Sequence, residues 1–393
     1  MRRKNTLKLV LTLASAQMLV VTGAFALTPQ EELGKALFFD PNLSLNSNQS
    51  CASCHTPEVG WTGKDPVINE LGGVYEGSIP GAFGDRKPPA AAYAGDSPVL
   101  YYNARAGAWV GGMFWDGRAT GWELGDPLAE QAKGPFLNPK EQAIPDAETL
   151  VAKVQDSVYQ ELFTAQCQGN SEDLYNCIGR AIAAYERSSE VSPFTSKYDY
   201  WLQGKAKMTA QENLGRALFQ GKAKCSACHI IKGKQPLFTD FTYDNLGIPK
   251  NLQNPATIAD PDWADPGLGG FLQSADYDEE VYTVEMGKHK VPTLRNVDLR
   301  TIDGFDIVKA YGHNGYFKSL EEIVHFYNTR DVPGAGWNGV SWPAPEVADN
   351  VNTVEMGDLG LSPREEAALV AFMKTLSDGY QPYHKPNGMV TEK

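Results

Sequence analysis

The chain has 393 residues, enough for two or three domains with their own cores, and a composition of 42% hydrophobic and 21% charged residues excludes a disordered chain. A formal net charge of -13 argues against nucleic acid as a partner. Such an acidic surface suits docking of a basic protein, or serves solubility alone.

In chain order, the first feature is a leader. Arg2, Arg3 and Lys4 precede an apolar run, and Ala24-Phe25-Ala26 has the small-residue pattern of a signal cleavage site. Lys8, Ser15, Gln17 and Thr22 interrupt the run, which favours a cleaved signal peptide over residues 1–26 rather than a membrane anchor. Cleavage would remove four cationic side chains and no acidic one, taking the charge to about -17. No other stretch approaches the ~20 apolar residues of a span. The mature chain is therefore expected to be exported and to carry no membrane span.

The six cysteines sort without remainder. Cys51-Ala52-Ser53-Cys54-His55 and Cys225-Ser226-Ala227-Cys228-His229 are two C-x-x-C-H sequences, the attachment signature of c-type haem. Two thiols one helical turn apart add to the two haem vinyl groups, and the following histidine reaches the iron. Two covalently bound haem c groups are expected. Cys167 and Cys177 remain, and in an oxidising compartment a structural disulfide is the default.

The two haem motifs have matching surroundings. "LGKALFFD" (Leu33 to Asp40) precedes the first and "LGRALFQG" (Leu214 to Gly221) the second, each with the spacing of a short amphipathic helix. An aromatic-Thr pair follows each histidine: Trp61-Thr62, then Phe238-Thr239. One cytochrome-c-type unit is used twice, with a boundary near residues 190–205 after the helical "LYNCIGRAIAAYERSS". At the far end Ser362, Pro363 and Glu365 form a capping box, and Leu369, Val370, Met373 and Leu376 share one apolar face. The expected fold is mainly α, two cytochrome-c-like haem domains (27–200 and 201–393) with long loops, among them 64–100 and 255–280, and few short strands.

These motifs, with "FWDGRA", "LAEQAKGPFLNPKE", "VPTLRNV" and "GHNGYFKSLEEIVHFYN" in order along nearly all of the mature chain, resemble the bacterial di-haem cytochrome c peroxidase/MauG family. The resemblance implies a periplasmic enzyme that meets hydrogen peroxide at the N-terminal haem and passes electrons through the C-terminal one. By position, His55 is then the proximal ligand of the peroxide-reacting haem and His229 that of the electron-transfer haem. Gln131 and Glu141 match the distal-pocket pair. Glu141 would act as acid–base catalyst on peroxide, with Gln131 holding peroxide or water. Trp115 matches the family's inter-haem tryptophan, although an insertion, "GWELGD", makes Trp122 a competitor. Asp116 and Arg118 are expected to hold structure or haem propionates. The resemblance also implies one calcium ion, with Asn103 and backbone carbonyls near Val308 to Ala310 as ligands, although the Thr and Pro usual there are absent.

Histidine supply separates the mechanisms. No histidine lies between His55 and His229, so the first haem is expected to keep an open sixth position. His289 and His384 stand in polar contexts and are expected to be exposed. His313 matches a family histidine that hydrogen-bonds near the second haem. In "SLEEIVHFYN", Leu320, Ile323, Val324 and Tyr327 fall at i, i+3, i+4 and i+7 on one helical face, and His325 points away from it. By its place after "HNG", Tyr327 matches the distal ligand of the second haem, which is methionine in conventional peroxidases and tyrosine in MauG; Met286 is the alternative. The favoured function is MauG-like oxidation of side chains, plausibly tryptophan, in a protein substrate. The alternatives are a conventional peroxidase fed by a small cytochrome or cupredoxin, and a non-enzymatic di-haem electron carrier.

Overall fold

The computed structural model describes residues 26–382. All but the last residue of the expected signal peptide, and His384, lie outside the described residues. The fold is mainly helical, and its strands, each two or three residues long, pair only as antiparallel two-stranded ribbons.

The helices that shape the site are α1 (Pro29–Phe39), α2 (Pro127–Leu137), α3 (Ser171–Arg187), α4 (Ala210–Gln220), α5 (Leu320–Thr329) and α6 (Pro363–Lys374). Both prelude helices start earlier than their apolar spacing suggested, because each has a strong cap. Thr28 and Glu31 form a capping box for α1, and Thr209 and Glu212 one for α4. The expected Ser362/Glu365 box opens α6, and Leu369, Val370, Met373 and Leu376 are all buried.

The repeat visible in the sequence is repeated in the packing. α1 crosses α3, and α4 crosses α6. Each crossing is made at a glycine: a Cβ on Gly34 would overlap Ala181 O, and one on Gly215 would overlap Ala368 O. Close approach of the backbones requires the missing side chain at both positions. One buried apolar cluster draws on residues from Leu33 to Val191 and a second on residues from Tyr198 to Leu376. Cys167 and Cys177 are joined as a disulfide that ties α3 to the C-terminal end of the preceding helix Gln160–Gln166.

Two regions expected as loops carry short helices. Pro66–Glu70 lies in the first, and Pro255–Ala259 and Gly267–Ser274 lie in the second. Asp65 and Asn254 cap the first two through their side chains, a local signal that glycine and proline content masks. Among the described residues, no helix is long and apolar enough to cross a membrane.

Candidate functional site

Each C-x-x-C-H segment opens onto its own cavity. Cys51, Cys54 and His55 line the first, and Cys225, Cys228 and His229 the second. The Cys51–Cys54 turn is helical and the Cys225–Ala227 turn is a tighter helix of the same hand, so both motifs present their cysteines from one turn of chain. All four cysteines are free of disulfides. Burial pushes the thiols of Cys54, Cys225 and Cys228 up to about 12.

The histidines are held in matching ways. His55 Nδ1 lies 3.2 Å from Trp61 O, and His229 Nδ1 lies 2.8 Å from Phe238 O. A carbonyl only accepts, so Nδ1 carries the proton and Nε2 keeps its lone pair, the arrangement of a metal-ligating imidazole. Burial lowers the His55 pKa to about 4 and moves that of His229 in the same direction, keeping both rings neutral. Trp61 and Phe238 both adopt left-handed backbone, with φ of 62° and 56°. The aromatic-Thr pairs noted in the sequence thus bend their carbonyls back onto the histidines. Free cysteines beside neutral, oriented histidines fit two covalently attached haems.

A second repeat faces these motifs. The bridge Met113↔Ala119 closes the turn around Trp115, and Tyr311↔Phe317 closes the turn around His313. A helix follows each. α2 turns Leu128, Gln131, Ala132 and Pro135 to the first cavity, and α5 turns Leu320, Ile323, Val324 and Tyr327 to the second. Both sets fall at i, i+3, i+4 and i+7. Pro135, which has no donor atom on its side chain, therefore stands in the first cavity where Tyr327 stands in the second. Sequence reasoning passed over Pro135; the helical face it shares with Gln131 was the available signal.

Glu141 follows α2 and reaches the first cavity with Gln131. Burial raises its carboxyl pKa, with Asp85 adding to the rise and Arg118 opposing it. Two other amides touch the attachment sulfurs: Gln49 Nε2 lies 4.0 Å from Cys54 Sγ, and Gln142 Nε2 lies 3.9 Å from Cys51 Sγ.

Trp115 lines both cavities, and Trp122 lines neither: it is 49% exposed, with its indole N–H donating to Leu100 O. Trp115 Nε1 donates to Lys87 O at 2.8 Å, and Lys87 N donates to His313 O at 2.8 Å. Asp116 joins Arg86 and Arg118, and Arg86 grips Asp265 with two hydrogen bonds of 2.6 Å. Asp265 lies 3.2 Å from His289 Nε2, although the angle is not that of a hydrogen bond. His313 Nε2 meets Glu346 at 2.9 Å, consistent with its expected hydrogen-bonding part.

His289 is not exposed, contrary to expectation. It lies in the strand His289–Lys290, which pairs with Tyr243–Asp244, and its ring stacks on His313 at 3.6 Å. Strand alternation buries His289 and Val291 and turns the flanking lysines the other way, which hydrophilic composition alone hides. His325, by contrast, lines neither cavity and meets Glu366 at 2.9 Å. Met286 is absent from the second cavity, while Met356, unnoticed in the sequence, is buried beside it.

The expected calcium ligands do not fit. Asn103 Oδ1 accepts from the backbone N–H groups of Arg105 and Ala106 within its own hairpin turn. Val308 O accepts from Asn69 Nδ2, and Lys309 extends a buried ammonium from the middle of the carbonyl segment. A divalent cation would be repelled by that ammonium.

The comparisons with known proteins agree with this geometry. Residues 28–207 match the family model described as di-haem cytochrome c peroxidase. The chain is 36% identical over 368 residues to methylamine utilization protein MauG of Paracoccus denitrificans, covering 89% of each. It is 32% identical to cytochrome c551 peroxidase of Nitrosomonas europaea, over 76% of this chain and 74% of that one. The crystal structure of the diheme peroxidase BthA from Burkholderia thailandensis superposes with a TM-score of 0.76 at 31% identity, covering 90% of this chain and 87% of that one. With its paired haem-attachment cavities and the tryptophan between them, the chain belongs to the di-haem cytochrome c peroxidase/MauG family of oxidoreductases.

Proposed function

We propose that this chain is a periplasmic, MauG-like di-haem enzyme that uses hydrogen peroxide to oxidise side chains, tryptophan among them, of a protein substrate. Residues 27–200 form the peroxide-reacting domain and 201–393 the electron-transfer domain. When bound, the two haems supply the iron redox chemistry with peroxide and store the oxidising equivalents. The protein's part is positional and acid–base.

In the first cavity, Pro135 presents no side-chain donor that could ligate iron, and Leu128 would help exclude water. Gln131 Nε2 would donate a hydrogen bond to peroxide held in the cavity. Glu141 Oε takes the proton from one peroxide oxygen and returns it to the other, and its raised pKa suits it to both transfers. Trp115, touching both cavities, relays the electron hole between them.

The observation that carries the MauG-like reading is Tyr327, which faces the second cavity in line with Leu320, Ile323 and Val324. An anionic oxygen donor stabilises ferric and higher states, which favours storing oxidation over accepting electrons from a high-potential donor. Before iron binds, burial raises the Tyr327 phenol well above its ordinary range, so the hydroxyl stays protonated. The second reading, peroxide removal with a small cytochrome or cupredoxin as donor, is favoured by Met356, a thioether on the same cavity.

EPR of the ferric holoenzyme tests the assignment. A high-spin signal from the first haem that disappears on adding peroxide is expected, and a wholly low-spin protein inert to peroxide would leave the electron-carrier reading. Mass spectrometry of co-secreted proteins after peroxide treatment with the enzyme is expected to find oxygen added at tryptophan. Turnover confined to a reduced small redox protein would move the function to conventional peroxide removal.

A further inference from the structure

The wall between the two cavities carries two lysines in an unusual setting. Lys309 is 5% exposed, and its Nζ donates to three backbone carbonyls: Val59 O at 3.0 Å, Asn296 O at 2.9 Å and Leu299 O at 3.0 Å. Val59 follows the first haem motif and Asn296 belongs to "VPTLRNV", so this ammonium joins the two halves of the molecule. Lys87 lines both cavities, and its Nζ donates to Pro88 O at 2.9 Å and Thr62 Oγ1 at 3.2 Å. Among the described residues, neither ammonium is within ion-pairing distance of a carboxylate.

The place these groups occupy is the one where the resemblance puts a cation. Lys87 Cγ and Ala310 Cβ flank the same point beside Gly73, at 3.5 and 3.0 Å from where its Cβ would lie. Lys87 thus sits against the 308–310 segment, whereas Asn103 spends its side-chain oxygen in its own turn. Lys87 also joins the two repeats through its main chain, accepting from the Trp115 indole and donating to His313 O.

Burial lowers the Lys87 pKa to about 8 and the Lys309 pKa to about 7, where Lys87 adds to the fall and Asp298 opposes it; the three acceptors around Lys309 Nζ match the three donors of its ammonium form. Lys309 Nζ is held by three carbonyl oxygens as a metal ion would be, and Lys87 Nζ by one carbonyl and one hydroxyl, a built arrangement rather than stray surface charges. We propose that the place of a bound calcium ion between the two haem sites is taken by the side chains of Lys87 and Lys309, whose Nζ groups hold the oxygens around it. Both act as positioning residues: Lys309 clamps the segments after the first haem motif and around Asn296, and Lys87 fixes Trp115 while placing charge beside both cavities. Membership of the family is the only premise beyond the geometry. The lysines keep this role whether the oxidising equivalents end on a protein or on a small electron donor, so the test is independent of that choice.

The test uses the haem-loaded protein. Metal analysis after dialysis against calcium-containing buffer is expected to return iron without stoichiometric calcium. EGTA is expected to leave the optical and EPR spectra and the Tm unchanged. Lys87→Met and Lys309→Met are each expected to move the haem midpoint potentials negative, because a lost positive charge no longer favours the reduced iron, and added calcium is not expected to reverse the shift. One calcium per chain, a chelator-sensitive spectrum, or methionine variants with wild-type potentials would overturn the proposal. If a methionine variant does not fold, the calcium content and chelator response of the wild-type protein decide the matter alone.

Discussion

His325 Nδ1 lies 2.9 Å from Glu366 Oε1, on the side of α5 turned away from the cavity that Tyr327 lines. Two candidate donors two positions apart thus serve different purposes, one tying α5 to α6 and the other facing the second haem site. Tyr327→Phe is expected to change the optical and EPR spectra of the second haem. His325→Ala is expected to leave them unchanged and to cost about 0.2–1 kcal/mol of stability, the range for a partly exposed pair. An unaltered Tyr327→Phe spectrum would transfer the ligand assignment to Met356.

The residues legible in the sequence were those fixed by covalent chemistry or by a helical period. The haem cysteines and histidines follow from C-x-x-C-H, and the inward face of Tyr327 follows from the 3.6-residue period of α5, its place at the second haem from the family resemblance. Trp115, Gln131 and Glu141 came from motif context, and each lines a cavity. What escaped depends on contacts between distant segments. His289 is buried by a strand pair only two residues long, too short to leave a periodic signal. Lys87 and Lys309 carry no sequence signal of their place between the cavities, because lysine is almost never buried. Pro135 was hidden inside a motif whose better-known members are Gln131 and Glu141.

Glu141→Gln keeps the shape of the side chain and removes its ability to exchange a proton. The rate of the peroxide reaction is expected to fall by about 10²–10⁴-fold, the usual worth of general acid–base catalysis. In the wild type the carboxylate form must take the first proton, so the rate should climb as pH rises through the Glu141 pKa. Burial places that inflection above the ordinary glutamate range. Stopped-flow rates across pH would show an inflection that Glu141→Gln lacks.

Gly34 and Gly215 occupy equivalent helix crossings, and a methyl group at either would drive into a carbonyl oxygen of the facing helix. Backbone cannot yield as a flexible side-chain tip can. Gly34→Ala and Gly215→Ala are each expected to destabilise the protein by about 3 kcal/mol or more, at the upper end for overpacking. Denaturant midpoints should show losses of similar size in the two halves; a neutral substitution at either would refute the shared crossing geometry.

Glu186 is 4% exposed on the first cavity, and its Oε2 has no hydrogen-bond partner among the described residues. Burial raises its pKa to about 8, against an opposing pull from Arg187 and a small push from Asp126. Between the unfolded value of about 4.3 and this folded value, the native state binds the extra proton, so stability falls as pH rises through that window. Thermal melts should show Tm declining from mildly acidic toward pH 8 in the wild type. Glu186→Gln, neutral throughout, should flatten that decline; an unchanged slope would mean another group carries it.

Trp115 and Trp122 lie seven positions apart and differ in every respect that matters for electron transfer. Trp115 is 9% exposed, touches both cavities and holds Lys87 O, while Trp122 is 49% exposed on the inserted segment and reaches neither cavity. An indole carries a hole between two centres only if it stands between them. Trp115→Phe removes the hydrogen bond to Lys87, worth about 1 kcal/mol, and replaces the indole with a ring that is harder to oxidise. Stopped-flow spectroscopy is expected to show an undiminished peroxide reaction at the first haem and slowed arrival of oxidising equivalents at the second. Trp122→Phe is expected to leave both phases at wild-type rates. If Trp122→Phe slowed the second phase and Trp115→Phe did not, the relay would run through the insertion and not through the wall between the cavities.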